Sequence, residues 1–328
     1  MTDKKITQKD TNPYPFSDSN KRYQTFGFYM KKRFGKKCAK IPLDAGFTCP
    51  NIDGSKGVGG CIYCLGGSAA TTATPDTVEA QYENGIAALC GKWDDFMPIP
   101  YLQAHSCTYK EPDELRELYL RCAELPDAGM LAIATRADCL TDGVISVIHE
   151  ISERIPVLIE LGLQTSNDRT AKLINRGHTL SEFTDGYERL RYSGGDIAVC
   201  VHIINGLPGE SRDDMLETAR FTAGLSPDMV KIHLLHVLRG TVLAQMYESG
   251  TYLPMKREDY INTVCDQIEL MPQNTVIARL TGDGYAADLL APDWSRLKKT
   301  VINDIDKELF RRNSYQGIHR SAAENKHS

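Results

Sequence analysis

The sequence predicts an α/β protein, a partial (β/α)6 TIM-type barrel with N- and C-terminal extensions, on three observations. Six short apolar segments alternate with helical patterns, two of those segments are continuously apolar, and a glycine-rich cysteine loop follows the first of them. The first strand is the stretch near 37–45, and the glycine-rich segment covers 54–67. A helix near 76–92 leads to a strand at 98–104, then a helix near 112–125 and a strand near 129–135. A helix near 141–153 precedes the strand 156–163, helices near 167–175 and 180–193 precede 197–204, and a helix near 210–224 precedes 229–237. The runs Val157-Leu158-Ile159 and Val199-Cys200-Val201 are apolar at every position, as in parallel strands covered on both faces. A doubly wound sheet gives the same alternation, so the choice between the two architectures falls to the motifs. Beyond residue 237 the pattern weakens into helices near 241–249, 256–270 and 296–312, with a short strand at 275–281. The organisation expected is therefore a basic N-terminal extension over 1–36, a core over 37–250 and a mostly helical C-terminal extension over 251–328.

The chain has 328 residues with 41% hydrophobic and 25% charged, enough to bury a large core without disulfides. No apolar run approaches the roughly 18–20 residues of a membrane-spanning helix, and the N-terminus reads as polar rather than as a secretory leader. A cytoplasmic location is expected, and the ten cysteines are expected to be thiols or metal ligands. Charge is uneven. Residues 1–40 carry a net +8, including Lys31, Lys32, Arg33, Lys36 and Lys37, which leaves −13 for the rest of a chain whose overall charge is −5. Such a basic segment on an acidic body suits phosphate binding, and a solvated charged helix is the plainer alternative.

Cys49, Cys61 and Cys64 are separated by eleven residues and then by two, with Gly54, Gly57, Gly59 and Gly60 between the first pair. A two-residue gap lets thiolates converge on one centre, and the glycines permit the turns that bring the distant cysteine alongside. Structural zinc closes a tetrahedron with four ligands, and the sequence has no second close pair. Cys38 could supply a fourth ligand, although it falls in the predicted first strand. Three thiolates suit a [4Fe–4S] cluster that leaves one iron open to a small molecule. The loop also follows the first strand, at the end where barrels of this kind build their sites. Of the remaining cysteines, Cys107 stands just past the second strand, and the others read as buried small hydrophobes.

Several stretches resemble the radical S-adenosylmethionine superfamily. They are Asp44-Ala45-Gly46-Phe47-Thr48-Cys49-Pro50-Asn51, Glu160-Leu161-Gly162-Leu163-Gln164-Thr165, Leu173-Ile174-Asn175-Arg176-Gly177-His178 and Ile204-Asn205-Gly206-Leu207-Pro208. More narrowly the chain is similar to the Elp3-related proteins and, among them, to the YtqA subgroup, also called MnmL. Segments from Asn12-Pro13-Tyr14-Pro15-Phe16 to Ser314-Tyr315-Gln316-Gly317, with Thr281-Gly282-Asp283-Gly284 between them, extend the likeness over nearly the whole chain. The eleven-residue gap departs from the superfamily's usual three. Ala134 and Ala278 stand where the subgroup tends to have Pro and His.

The resemblance implies S-adenosylmethionine as cosubstrate, cleaved to methionine and a 5′-deoxyadenosyl radical. It also implies contacts to that molecule from Tyr63, Gln103, Gln164, Arg176, His202 and Gly206. Gln103 stands with His105 and Ser106 where relatives carry Gly-Gly-Glu. For Arg176 a surface charge, and for His202 a satisfied core histidine, are the alternatives. On the predicted sixth strand Lys231 and His233 face one way and could contact substrate, with His236 on the other face or at the end.

For the subgroup the implied substrate is tRNA, whose wobble 5-carboxymethylaminomethyl-(2-thio)uridine loses its carboxymethyl group to become the aminomethyl form. A flavodoxin or ferredoxin is the implied electron donor, and a partner methylase acts next. The basic segment would then grip phosphates, and Tyr23, Phe26, Phe28 and Tyr29 could stack a base, although aromatics at helical spacing also read as core. A radical enzyme acting on a small metabolite or a protein, and a zinc-binding nucleic-acid module, are the alternative functions.

Overall fold

The computed structural model describes residues 13–65, 76–93, 95–282 and 287–320. Asn12, Asp283 and Gly284, named above, lie outside them. Seven parallel strands form one sheet in the order β1 (Cys38–Leu43), β2 (Met97–Leu102), β3 (Leu131–Thr135), β4 (Val157–Gln164), β5 (Ile197–Asn205), β6 (Met229–Leu234), β8 (Val276–Arg279). Between the last two strands in sequence lies β7 (Val237–Leu238), which pairs antiparallel with β9 (Leu289–Ala291).

The connecting helices are α2 (Val78–Cys90), α3 (Pro112–Ala123), α4 (Asp142–Ser152), α5 (Asp168–Leu173), α6 (Leu180–Tyr192) and α7 (Arg212–Leu225). The sheet curls into a partial barrel, as expected, with the helices outside. Their starts are written locally. Thr179 and Ser211 close capping boxes with Glu182 and Asp214, and Pro112 occupies the first turn of α3, where its missing N–H costs nothing.

Two expectations change. The sixth strand stops at Leu234 rather than continuing to Val237: the Leu235 N–H makes the last ladder bond, to the Asn205 carbonyl at 3.0 Å, and the chain restarts as β7. The sheet gains a seventh parallel strand, because the short strand expected at 275–281 in the mostly helical C-terminal segment joins it as β8. Met229 pairs with Val276 and Val230 with Ile277. That segment otherwise forms α9 (Arg257–Leu270) and α10 (Lys298–Arg311), and α8 (Val242–Glu248) precedes it.

Alternation along each strand sorts two cores. Ile159, Leu161, Val199, Val201, Val230 and Ile232 face outward under the helices. Met97, Ile99, Ala132, Leu158, Ala198 and Met229 face inward and fill the base of the barrel.

Helix α1 (Phe26–Phe34) closes this base. Thr25 caps it and bridges to Ile277 of edge strand β8, while Met30 inserts fully buried among the inward residues. At its far end Arg33 bonds both oxygens of Asp196, at 2.6 and 2.7 Å, immediately before β5. Phe26 and Tyr29 pack against the same interior and Tyr23 is buried, so these aromatics are core and do not present faces to a base. Met30→Ala is expected to destabilise the protein by about 2–5 kcal/mol, read as a lower denaturant midpoint at unchanged slope.

Candidate active site

At the opposite end of the barrel, beyond the C-terminal ends of the strands, Cys49, Cys61 and Cys64, none of them in a disulfide and each half-buried, line one cavity of about 790 Å³. The loop that carries them is held by a turn 110 residues away in sequence. The Asn175 side-chain amide donates to the Val58 and Gly60 carbonyls at 3.1 and 2.7 Å, and the Ile62 N–H donates to the Ile174 carbonyl at 3.1 Å. In return Asn51, fully buried, donates to the Asn175 carbonyl. Asn175 and Gly177 both adopt positive φ, and a Cβ on Gly177 would stand 2.5 Å from the Asn51 amide oxygen, so only glycine fits there.

Arg136 reaches the same turn from the end of β3, donating to the Arg176 and Gly177 carbonyls at 2.8 and 3.2 Å. Burial disfavours its charge, but the paired Asp138 more than restores it. Asp138 is in turn held well below the usual carboxylate range by Arg136 and Lys56, against its own burial.

Arg176 lies buried against β4 and donates to the Gly162 carbonyl, while its Nε has no partner. Gly162 makes room, since a Cβ there would meet Gln164 at 2.5 Å and Arg176 at 2.9 Å. Gln164 itself has φ of 72°, uncommon for a residue with a side chain and typical of functional strand ends. Tyr63 lines the cavity beside the thiols, and burial, then Cys61, pushes its hydroxyl pKa well up. Three converging thiols, a buried guanidinium and the unpartnered buried Nδ1 of His105 fit a cluster held by Cys49, Cys61 and Cys64 with an anionic ligand on its open side.

Deeper in the cavity, the barrel interior is charged. Glu160, 1% exposed, accepts from Lys40 and Lys231, from the Tyr101 hydroxyl at 2.6 Å, and approaches His202 Nε2 at 3.0 Å. Burial would raise its pKa, but Lys231, Lys40 and His202 hold it well below the usual range. For Lys231 burial wins over the pull of Glu160 and lowers the pKa to about 8. Burial, then Lys231, lowers His202 to about 4, and His233 is lowered well below its ordinary value, so both imidazoles are neutral at pH 7. Glu160, Cys200 and His202 place donor atoms within 4.8 Å of one another, as in a metal site. The two ammonium groups already on that carboxylate oppose a second cation there.

Most of the expected residues therefore converge. Cys49, Cys61, Cys64, Tyr63, Gln103, Gln164 and Arg176 line the upper cavity, and His202, Lys231 and His233 its floor. His202 thus sits beneath the rim rather than at it. His236, expected on the other face or at the strand end, also lines the cavity. Gly206 does not: its carbonyl accepts from Tyr252 at 2.8 Å, and Met255 covers the space above its Cα.

Cys38 begins β1, a strand length from the cysteine loop, and so stands away from the other three. Cys107 is buried with its thiol on the Ala104 carbonyl at 3.0 Å. The basic segment lies at the barrel base, away from the thiols. There Arg33 and Lys36 pair with Asp196 and Asp95, which precede β5 and β2, and Lys37 covers Trp93. Lys31 and Lys32 are exposed on α1.

Asn51, Tyr101, Arg136, Glu160 and Asn175 join the site with no role expected from sequence, and Lys40, counted above with the basic residues 1–40, enters the cavity rather than the barrel base. Glu160 and Lys40 carried a signal, since a lone charge inside an apolar strand must find a partner.

Residues 58–222 match the radical SAM superfamily, and residues 227–311 match the radical SAM C-terminal domain. The chain belongs to the radical SAM superfamily, whose members use a [4Fe–4S] cluster and S-adenosylmethionine. It is 42% identical over 309 residues to the uncharacterized protein YtqA of Bacillus subtilis, covering 93% of this chain and 95% of that one. It is 30% identical over 156 residues to the tRNA uridine(34) acetyltransferase of Methanocaldococcus infernus, covering 47% of this chain and 28% of that protein. The fold is shared with the Elp3 structure from the same archaeon, at a TM-score of 0.63 and 19% identity over 84% of this chain and 64% of that one. No helix among the described residues is long and apolar enough to cross a membrane.

Asn175→Gly keeps the backbone unstrained but frees two loop carbonyls. It is expected to cost about 1–3 kcal/mol and to lower iron retained per protein after reconstitution and gel filtration. Asp138 contributes stability above its unfolded pKa of about 3.9 that is lost as pH falls toward its depressed folded value. Asp138→Asn is accordingly expected to lose about 3–5 kcal/mol at pH 7, with the gap to the parent narrowing at pH 3 in thermal melts.

Proposed function

We propose that this protein modifies the wobble uridine of tRNA, converting 5-carboxymethylaminomethyl-(2-thio)uridine toward 5-aminomethyl-(2-thio)uridine. The observation that carries the reading is one continuous cavity, with three thiols, Arg176 and Gln164 above and a charged floor below. At about 790 Å³ it falls in the upper part of the roughly 300–1,000 Å³ range of ligand pockets, room for a cosubstrate and a base together. Likeness to a tRNA uridine(34) acetyltransferase over 156 residues favours that nucleotide as the substrate, and similarity to YtqA over 309 residues favours one shared activity for both chains.

When bound, the cluster would supply the electron that cleaves S-adenosylmethionine to methionine and a 5′-deoxyadenosyl radical, able to take a hydrogen atom from a substrate carbon. Cys49, Cys61 and Cys64 hold the cluster. Arg176 would bind the methionine carboxylate by a charge-assisted bond, Gln164, Gln103 and Tyr63 would orient the rest, and the buried walls exclude water. A flavodoxin or ferredoxin would donate the electron, and a methylase would take the aminomethyl product. Lys31, Lys32, Arg33, Lys36 and Lys37 would meet tRNA only at a distance from the reacting base, because they sit at the far end of the barrel.

The deciding experiment is anaerobic reconstitution with iron and sulfide, then dithionite, S-adenosylmethionine and tRNA bearing the carboxymethylaminomethyl base, with nucleoside mass spectrometry. Loss of the carboxymethyl mass with formation of 5′-deoxyadenosine, both abolished by Cys61→Ala, is the expected result. Formation of 5′-deoxyadenosine with unchanged tRNA would transfer the enzyme to a small-molecule or protein substrate. Stoichiometric zinc without a cluster would replace the enzyme by a binding module.

A further inference from the structure

Among the described residues, Lys40 and Lys231 each have one hydrogen-bond acceptor inside the barrel, and both ammonium groups also lie over aromatic rings, Lys40 over Phe26 and Tyr101 and Lys231 over Tyr101. An ammonium group has three donors, and each lysine spends one on Glu160. Lys231 is only 5% exposed, so bulk water does not take up the rest. Glu160 is meanwhile saturated: Lys40 occupies Oε1, and Lys231, Tyr101 and His202 crowd Oε2. Arg279, in register with Lys231 on the neighbouring strand β8, also lines the cavity. Two ammonium groups thus share a single carboxylate. The neutral His233 adds a buried Nε2 without a partner. A buried excess of positive charge and unmatched donors is costly unless an anion completes it.

We propose that the cavity floor is a carboxylate receptor, in which Lys231 and Lys40, braced by Glu160, bind the carboxylate of the substrate's side chain. The proposal rests on the wobble-uridine reading, which supplies a substrate ending in a carboxylate, and it assigns the residues that select that ending. The methionine carboxylate of the cosubstrate is the other source of the same chemistry, and depth separates the two. Glu160 lies four residues before Gln164 on β4, which is about 13 Å further from the rim where Arg176 and the thiols converge. Bound at the floor, a carboxymethylaminomethyl group would point its carboxylate down and its methylene up toward the cluster.

The test is equilibrium binding without reductant, using the reconstituted full-length protein saturated with S-adenosylmethionine. The probes are one anticodon stem-loop RNA carrying 5-carboxymethylaminomethyluridine, its methyl ester, or 5-aminomethyluridine. The acid is expected to bind at least tenfold more tightly than the ester. That preference should collapse to within about twofold in Lys231→Gln and fall in Lys40→Gln, with folding of both variants checked by circular dichroism and cluster absorbance. Equal affinity of the parent protein for acid and ester would overturn the receptor and leave the wobble reading standing, provided the full tRNA is still converted. Weakened S-adenosylmethionine binding in Lys231→Gln, with the acid preference intact, would assign the floor to the cosubstrate and overturn the proposal. No binding of any stem-loop, with no conversion of tRNA, would overturn the wobble reading and this inference with it.

Discussion

A parallel sheet curled on itself must fill its own inner face, and how that face is filled along the strands governs everything else in this protein. At the base the filling is apolar, and α1 seals it with Met30 between the edge strands. One layer higher the inward positions of β1, β2, β4, β5 and β6 carry Lys40, Tyr101, Glu160, His202 and Lys231, which gather around the single carboxylate of Glu160. At the top the strands end and the cysteine loop roofs the interior. Without the apolar plug below, water would reach the charged layer and screen it. Without the roof above, the charges would face open solvent.

The roof is held by polar bonds of a particular kind. Asn51 and Asn175 exchange side-chain contacts with each other's segments, and Arg136 bonds the carbonyls of residues 176 and 177. Each bond satisfies backbone that a long irregular loop would otherwise leave buried and unpaired. The arrangement holds the loop that carries the thiols, and because Arg136 bonds the Arg176 and Gly177 carbonyls, the same contacts fix the turn that carries the Arg176 guanidinium. Positioning of the three thiols and positioning of Arg176 are therefore one structural problem, solved at one turn.

The charged layer and the thiol roof divide the cavity by chemistry. The upper part offers thiols and the Arg176 guanidinium, with Arg136 beside it held by Asp138, a chemistry suited to a cluster and the anionic end of a small cosubstrate. The lower part offers ammonium groups, neutral imidazoles and a hydroxyl, suited to a second polar ligand held at a set depth. Carrying the basic segment on the other side of the plug keeps its charge out of this interior.

The alternation of strands and helices, the capping residues and the three cysteines were legible in the chain because each rests on spacing within a few dozen residues. Gln164 and Arg176 were legible too, since strand ends on one side of a barrel must meet. Glu160 and Lys40 were visible only as oddities, single charges in apolar strands, with nothing local to say that they would pair across 120 residues. The seventh strand, the end of β6 at Leu234, the burial of Phe26 and Tyr29, and the displacement of Lys31, Lys32, Arg33, Lys36 and Lys37 to the base were decided by the tertiary structure. Backbone periodicity and residue spacing are local, so the chain alone fixes which segments become strands and sets Cys49, Cys61 and Cys64 on one loop. Only the curled sheet decided which inward side chains face one another and what charge the cavity holds, because that depends on register between strands far apart in the chain.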